Sequence, residues 1–154
     1  MEEKELANLS VNTRIISVKL NNFSVAAIDK KIIPNLNKDS FAYEYGVQLL
    51  VDPPQKQIVV NCLIKIFSEL DKKINLAEIS SSGTFELLNL DEIVKKFNGV
   101  PSFILPLFVG VLLSTSRGFL LLKSEGTIIE GATLPIIDTT TLFSDSSSFE
   151  TKSL

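Results

Sequence analysis

From Asn98 to Ser116 the chain carries no charged residue, and the run stays strongly apolar to Lys123 (GVPSFILPLFVGVLLSTSRGFLLLK from Gly99). Apolar surface is stabilised by roughly 25 cal/mol for every Å² taken out of water, so something must cover this stretch. Three covers are open to it: lipid, the chain's own sheet together with a sister subunit, or a client polypeptide. The composition favours helix. Pro101 suits a first turn, and Pro106, about one and a half turns further on, is expected to kink or restart the helix. Ser116, Arg117 and Gly118 mark the end of the uncharged part. At its length the run is at the short end of the roughly 17–25 residues that span a bilayer. Pro106, Ser114, Thr115 and Ser116 weaken that option, and no polybasic flank orients a span. Membrane insertion is therefore not expected. A helix apolar nearly all round is more often buried within a protein or an oligomer.

The chain before this run alternates with the period of strands. Residues 1–10 form a polar lead-in without an apolar leader segment, and residues 11–143 are expected to form one domain. Ile16, Val18 and Leu20 share one parity, and Phe23 and Val25 the other. Either a one-residue bulge lies at Asn21-Asn22 or the strand ends there. A long connection follows from Ala26 to Ser40, with Pro34, Asn35, Asn37 and Asp39 as turn formers. It also holds Ile32, Ile33 and Leu36, which either tuck onto the core or bind something. Phe41, Tyr43, Tyr45, Val47, Leu49 and Val51 alternate as a second strand. After Asp52-Pro53-Pro54-Gln55, a third strand puts Ile58, Val60, Cys62, Ile64 and Ile66 on one face. A fourth runs from Ile74 to Leu87. Short links among the last three predict an antiparallel meander. Asn89 or Asp91 can cap a short helix with Leu90, Ile93, Val94 and Phe97 on one side. Beyond Lys123 the chain is loop-like, with Leu134-Pro135-Ile136-Ile137-Asp138 as an extended anchor, and residues 144–154 are expected to be disordered.

Composition removes several chemistries. The chain of 154 residues has no histidine, which excludes Ser-His and Cys-His nucleophile pairs and His-ligated zinc. Its one cysteine, Cys62, falls in an apolar strand row, so no internal disulfide can form and a reducing, cytoplasmic setting is expected. A net charge of −3 gives no footprint for nucleic acid. Ser124-Glu125-Gly126-Thr127 lacks the spacing of a phosphate loop, and Ser80-Ser81-Ser82-Gly83 is no nucleophile elbow. The expectation is a non-enzyme without cofactor or metal.

One family shares the order of these elements. Pro101 and Pro106 enclose a Pro-x-x-x-x-Pro helix opening, Ser116-Arg117-Gly118 matches a helix-ending Ser-Arg-Gly, and a Leu134-Pro135 segment follows. On the fourth strand, Leu76-Ala77-Glu78-Ile79 and Gly83-Thr84-Phe85 match Leu-x-Glu-Val and Gly-x-Phe. In these features the chain resembles the SecB family of export chaperones and its SecB-like relatives. The resemblance implies an α+β fold: a four-stranded antiparallel sheet, with a long crossover after strand 1 and then a meander, packed against a long kinked C-terminal helix. It implies a homo-oligomeric dimer of dimers and nucleotide-independent binding of unfolded or precursor polypeptides in apolar grooves. Ile32, Ile33, Phe41, Tyr43 and Tyr45 would line the grooves. Leu76 and Glu78 would meet the export motor ATPase SecA. The family's acidic pair on the first strand falls at Leu20 and Ser24 here, the Gly118–Leu134 segment is longer, and the final helix is shortened or missing. Relatives dedicated to one partner, such as an antitoxin, fit equally.

Overall fold

The alternation between Gln57 and Ser68 becomes a strand in which every even-numbered side chain is buried and every odd one half-buried. In the computed structural model, which describes residues 10–28, 41–69, 74–141 and 152–153, this is β3 (Gln57–Ser68). It lies between β2 (Phe41–Asp52) and β4 (Asn75–Leu87), antiparallel to both, and β1 (Thr13–Val25) joins the outer edge of β4. The result is the expected four-stranded antiparallel sheet with a crossover from β1 to the far edge. A two-residue strand, β5 (Lys152–Ser153), pairs parallel with Leu50 and Val51. The connection at 29–40, with Ile32 and Ile33, lies outside the described residues.

β1 keeps its apolar side chains on one face by two bulges rather than one. The register slips between Leu20 and Asn22, as the parity change predicts, and again between Ile15 and Ser17. Val18, Leu20, Phe23 and Val25 therefore pair with Gly83, Ser81, Ile79 and Ala77, all on the core face of β4. Ile16, assigned to the buried row by parity, is the extra residue of the second bulge and is exposed instead. Bulges twist an edge strand and spoil it as a template for further pairing.

Helix α1 (Leu90–Phe97) buries Leu90 and Ile93, and Asn98 ends it in the left-handed conformation (φ 56°) that Asn tolerates. Val94, expected on the buried side, is exposed. Asn89 precedes this helix without capping it. Its side chain instead accepts from the Asn12 N–H (3.0 Å) and donates to the Ser10 carbonyl (2.7 Å), tying the start of β1 to the start of α1.

The apolar run becomes a single 3-10 turn (Ser102–Ile104) followed by helix α2 (Leu105–Lys123). Pro106 falls in the first turn of α2, where its missing N–H costs no hydrogen bond, so the helix restarts rather than kinks. Ser116-Arg117-Gly118 does not end it. The helix continues to Lys123, because Ser116, bonded to Ser81 of β4, and Leu120 are both buried and hold the last turns down. Phe108, Val109, Leu112 and Leu113 complete the buried stripe, and the Phe108 ring packs 4.9 Å from that of Phe85. Burial of each such side chain is worth roughly 1.5–3 kcal/mol. By length and composition the helical stretch 102–123 could also cross a membrane; here one side of it packs on β4, β3 and β1.

Candidate functional site

Helix α2 lies over β4, β3 and β1, which leaves the core face of β2 to be covered by the chain after the helix. Tyr43 and Tyr45 stand on that face, opposite Ile66 and Ile64 of β3. The backbone N–H of Thr133 donates to the Tyr43 hydroxyl (3.1 Å), which sets the returning segment over the strand. Ile129, Ala132 and Leu134 of that segment are buried. Arg117 holds the rest: its Nε donates to the Leu134 carbonyl (3.0 Å) and its Nη2 to the Pro135 carbonyl (2.9 Å). The guanidinium fork suits this two-point grip, which a lysine cannot reproduce.

Between helix, segment and strand is a furrow of about 120 Å³ with Tyr45, Leu113, Ser114, Arg117 and Leu134 among its lining residues. It is too small for a folded partner and wide enough for one or two side chains of an extended one. Burial pushes the Tyr45 hydroxyl up to about 12, helped by the neighbouring Tyr43 and opposed by Arg117. Burial raises Tyr43 as well, while its bond to Thr133 draws it back. The Tyr45 hydroxyl is buried without a hydrogen-bond partner. Among the described residues no three His, Cys, Asp or Glu side chains come together where a metal could sit.

Of the expected groove residues, Phe41, Tyr43 and Tyr45 share the core face of β2; Phe41 is buried and the two tyrosines half-buried. Ile32 and Ile33 lie outside the described residues. Leu76 and Glu78 line a depression of about 220 Å³ where β1 ends and β4 begins, together with Ser24. Leu76 itself is fully buried, beside the register slip that ends the β3–β4 pairing, and Ala26 N–H donates to its carbonyl (2.8 Å). Glu78 stands on the outer face, opposite Lys65 and Ser24. Arg117 was visible in the sequence only as part of Ser-Arg-Gly. Its grip on the Leu-Pro segment explains why two short motifs so far apart in the chain occur together.

No protein-family model matches the chain, and no curated protein matches it by sequence. Among solved structures, the Mycobacterium tuberculosis SecB-like chaperone Rv1957, in complex with a ChAD peptide from the Rv1956 HigA1 antitoxin, superposes with a TM-score of 0.54. Identity is 14%, over 81% of this chain and 90% of that one. The chain has a SecB-like fold. A Streptococcus agalactiae protein of unknown function matches at a TM-score of 0.43 and 11% identity, over 83% of this chain and 100% of that one. The SecB-like likeness rests on the four-stranded antiparallel sheet and its C-terminal helix, and it is to a SecB-like chaperone rather than to an export protein.

Proposed function

We propose that the chain is a nucleotide-independent, non-catalytic chaperone or adaptor that holds an extended polypeptide segment and is dedicated to one partner, such as an antitoxin. The observation that carries this reading is the superposition on a SecB-like chaperone with an antitoxin peptide bound. The aromatic core face of β2 supports it, since α2 covers the other three strands and leaves Tyr43 and Tyr45 half-buried beside a furrow. Apolar burial is non-directional, so a row of aromatics accommodates an extended segment by side-chain contacts. Ile32 and Ile33, just upstream of β2, complete the groove in this proposal. The working state is a cytoplasmic homo-oligomer, a dimer of dimers.

Dedication to one partner is preferred over general export. The export reading would recruit the motor SecA through Leu76 and Glu78, and Leu20 and Ser24 supply no acid beside them. Affinity purification from the native cell, with crosslinking before lysis, separates the two. One dominant polypeptide is expected. A broad population of unfolded precursors would favour a general holdase, and the absence of any bound polypeptide would overturn both.

A further inference from the structure

The furrow between β2, α2 and the segment after the helix is lined by one charged residue, Arg117, and by no acid. The guanidinium spends two N–H groups on the Leu134 and Pro135 carbonyls. Neutral acceptors leave its charge uncancelled, and among the described residues no carboxylate pairs with it. Asp138, beside the same wall, is turned instead to the N–H and hydroxyl of Thr140. Arg117 therefore keeps further N–H donors and a full positive charge that no described residue answers.

Tyr45 brings a second donor to the same place. Its hydroxyl is buried without a hydrogen-bond partner, and it lies close enough to Arg117 for the guanidinium to oppose the rise in its pKa. Its neighbour Tyr43 is satisfied by the Thr133 N–H. The other walls are largely apolar, with Leu113 and Leu134 buried behind them. A buried donor without an acceptor is costly, and a charge against apolar walls more so. Both are relieved by the same ligand, an anion with oxygen acceptors.

We infer that the furrow reads one acidic side chain of the extended polypeptide held on β2, its carboxylate accepting from Arg117 and Tyr45. This preference presupposes the polypeptide-holding role proposed above and gives it a chemical selectivity. A carboxylate is planar and meets the guanidinium fork with paired N–H groups. The volume of about 120 Å³ admits one such side chain. It is small beside the roughly 300–1,000 Å³ of a cofactor pocket. A lysine would meet Arg117 as a like charge, and a glutamine would leave the guanidinium uncancelled. Outside the furrow Ile136 is 93% exposed, so residues flanking the acid are expected to be apolar. The net charge of −3 gives no long-range attraction for an acidic client, so the selectivity acts through slower dissociation. Arg117 is partly exposed, which keeps the effect modest and sensitive to salt.

Fluorescence anisotropy with the full chain and short apolar peptides, alike except for Glu, Gln, Ala or Lys at the centre, tests this. At low salt and neutral pH the Glu peptide should bind about tenfold tighter than the Gln peptide, and the Lys peptide weakest of all. The advantage should shrink at high salt and vanish below about pH 4, where the peptide's carboxylate is protonated. Arg117→Gln should abolish it. Because that change also frees the Leu134–Pro135 segment, Tyr45→Phe is the second variant: it leaves the Arg117 grip in place and should narrow the gap between the Glu and Ala peptides about threefold. Peptides that bind alike whatever their central residue would overturn the acidic preference and leave the polypeptide-holding role standing. A Glu advantage that survives Arg117→Gln would overturn it as well. If none of the peptides binds, the polypeptide-holding role fails, and the preference falls with it.

Discussion

Ser81 Oγ lies 2.7 Å from Ser116 Oγ, in the otherwise apolar seam between β4 and α2. Ser116 Oγ also donates to the Leu112 carbonyl (2.8 Å), so the proton between the two serines comes from Ser81. Both residues are fully buried. Ser81→Ala leaves Ser116 with its helix partner and should cost about 1 kcal/mol, whereas Ser116→Ala orphans the buried Ser81 hydroxyl and should cost roughly 1–3 kcal/mol. The double variant should cost less than the sum, because the orphan disappears. Urea unfolding of the four proteins measures the cycle; strict additivity would mean the bond is not formed.

Arg117 is expected to control the furrow through the segment it holds. Arg117→Ala and Arg117→Lys should both speed amide exchange between residues 132 and 138, since neither restores the two-carbonyl grip. Stability should fall by about 1–2 kcal/mol for a partly exposed charged donor. Unchanged exchange in that segment would show that other contacts hold it.

Gly83 sits beneath an aromatic ring. A Cβ there would meet the Phe85 ring at 2.8 Å and a Leu112 methyl at 3.6 Å. Phe85 is wedged against Phe108 and has little room to turn. Gly83→Ala should therefore destabilise by about 1–3 kcal/mol, the usual range for overpacking. A neutral result would mean that the ring re-packs freely.

Alkaline pH should unfold the protein early. Burial pushes the Cys62 thiol from 9.0 up to about 12, and Tyr45 rises from 10.0 to about 12. In both cases the unfolded chain loses its proton first, so stability is full below pH 9 and falls as pH rises from 9 towards 12. Cys62→Ala should remove the part of the fall that begins near pH 9, and Tyr45→Phe the part that begins near pH 10, as read from urea midpoints across that range. At neutral pH Tyr45→Phe should cost nothing, because the hydroxyl it removes has no partner.

Most of the sheet was legible because its strands alternate. In β3 each parity assignment from Ile58 to Ile66 matches the burial. The change of parity at Asn21-Asn22 announced a bulge, but the bulge at Ile16 left no mark, since Ile15 and Ile16 are both apolar and parity cannot say which is extra. The helix end was misplaced for a related reason. Ser116-Arg117-Gly118 looks like a terminus by composition, and only the burial of Ser116 beside Ser81 of β4 and of Leu120 one turn on shows why the helix continues. The clamp between Arg117 and the Leu134 and Pro135 carbonyls depends on a return of the chain that no local pattern encodes. Phe41, Tyr43 and Tyr45 could be placed on one face by spacing alone, yet which strand α2 leaves uncovered is a matter of tertiary packing.

Photo-crosslinking from position 45 bears hardest on the proposal that β2 holds a polypeptide. A photoreactive residue in place of Tyr45 should capture a polypeptide in the native cell without nucleotide, and the same group in place of Gln48, on the outer face, should not. Equal capture from both positions, or none from position 45, would contradict it.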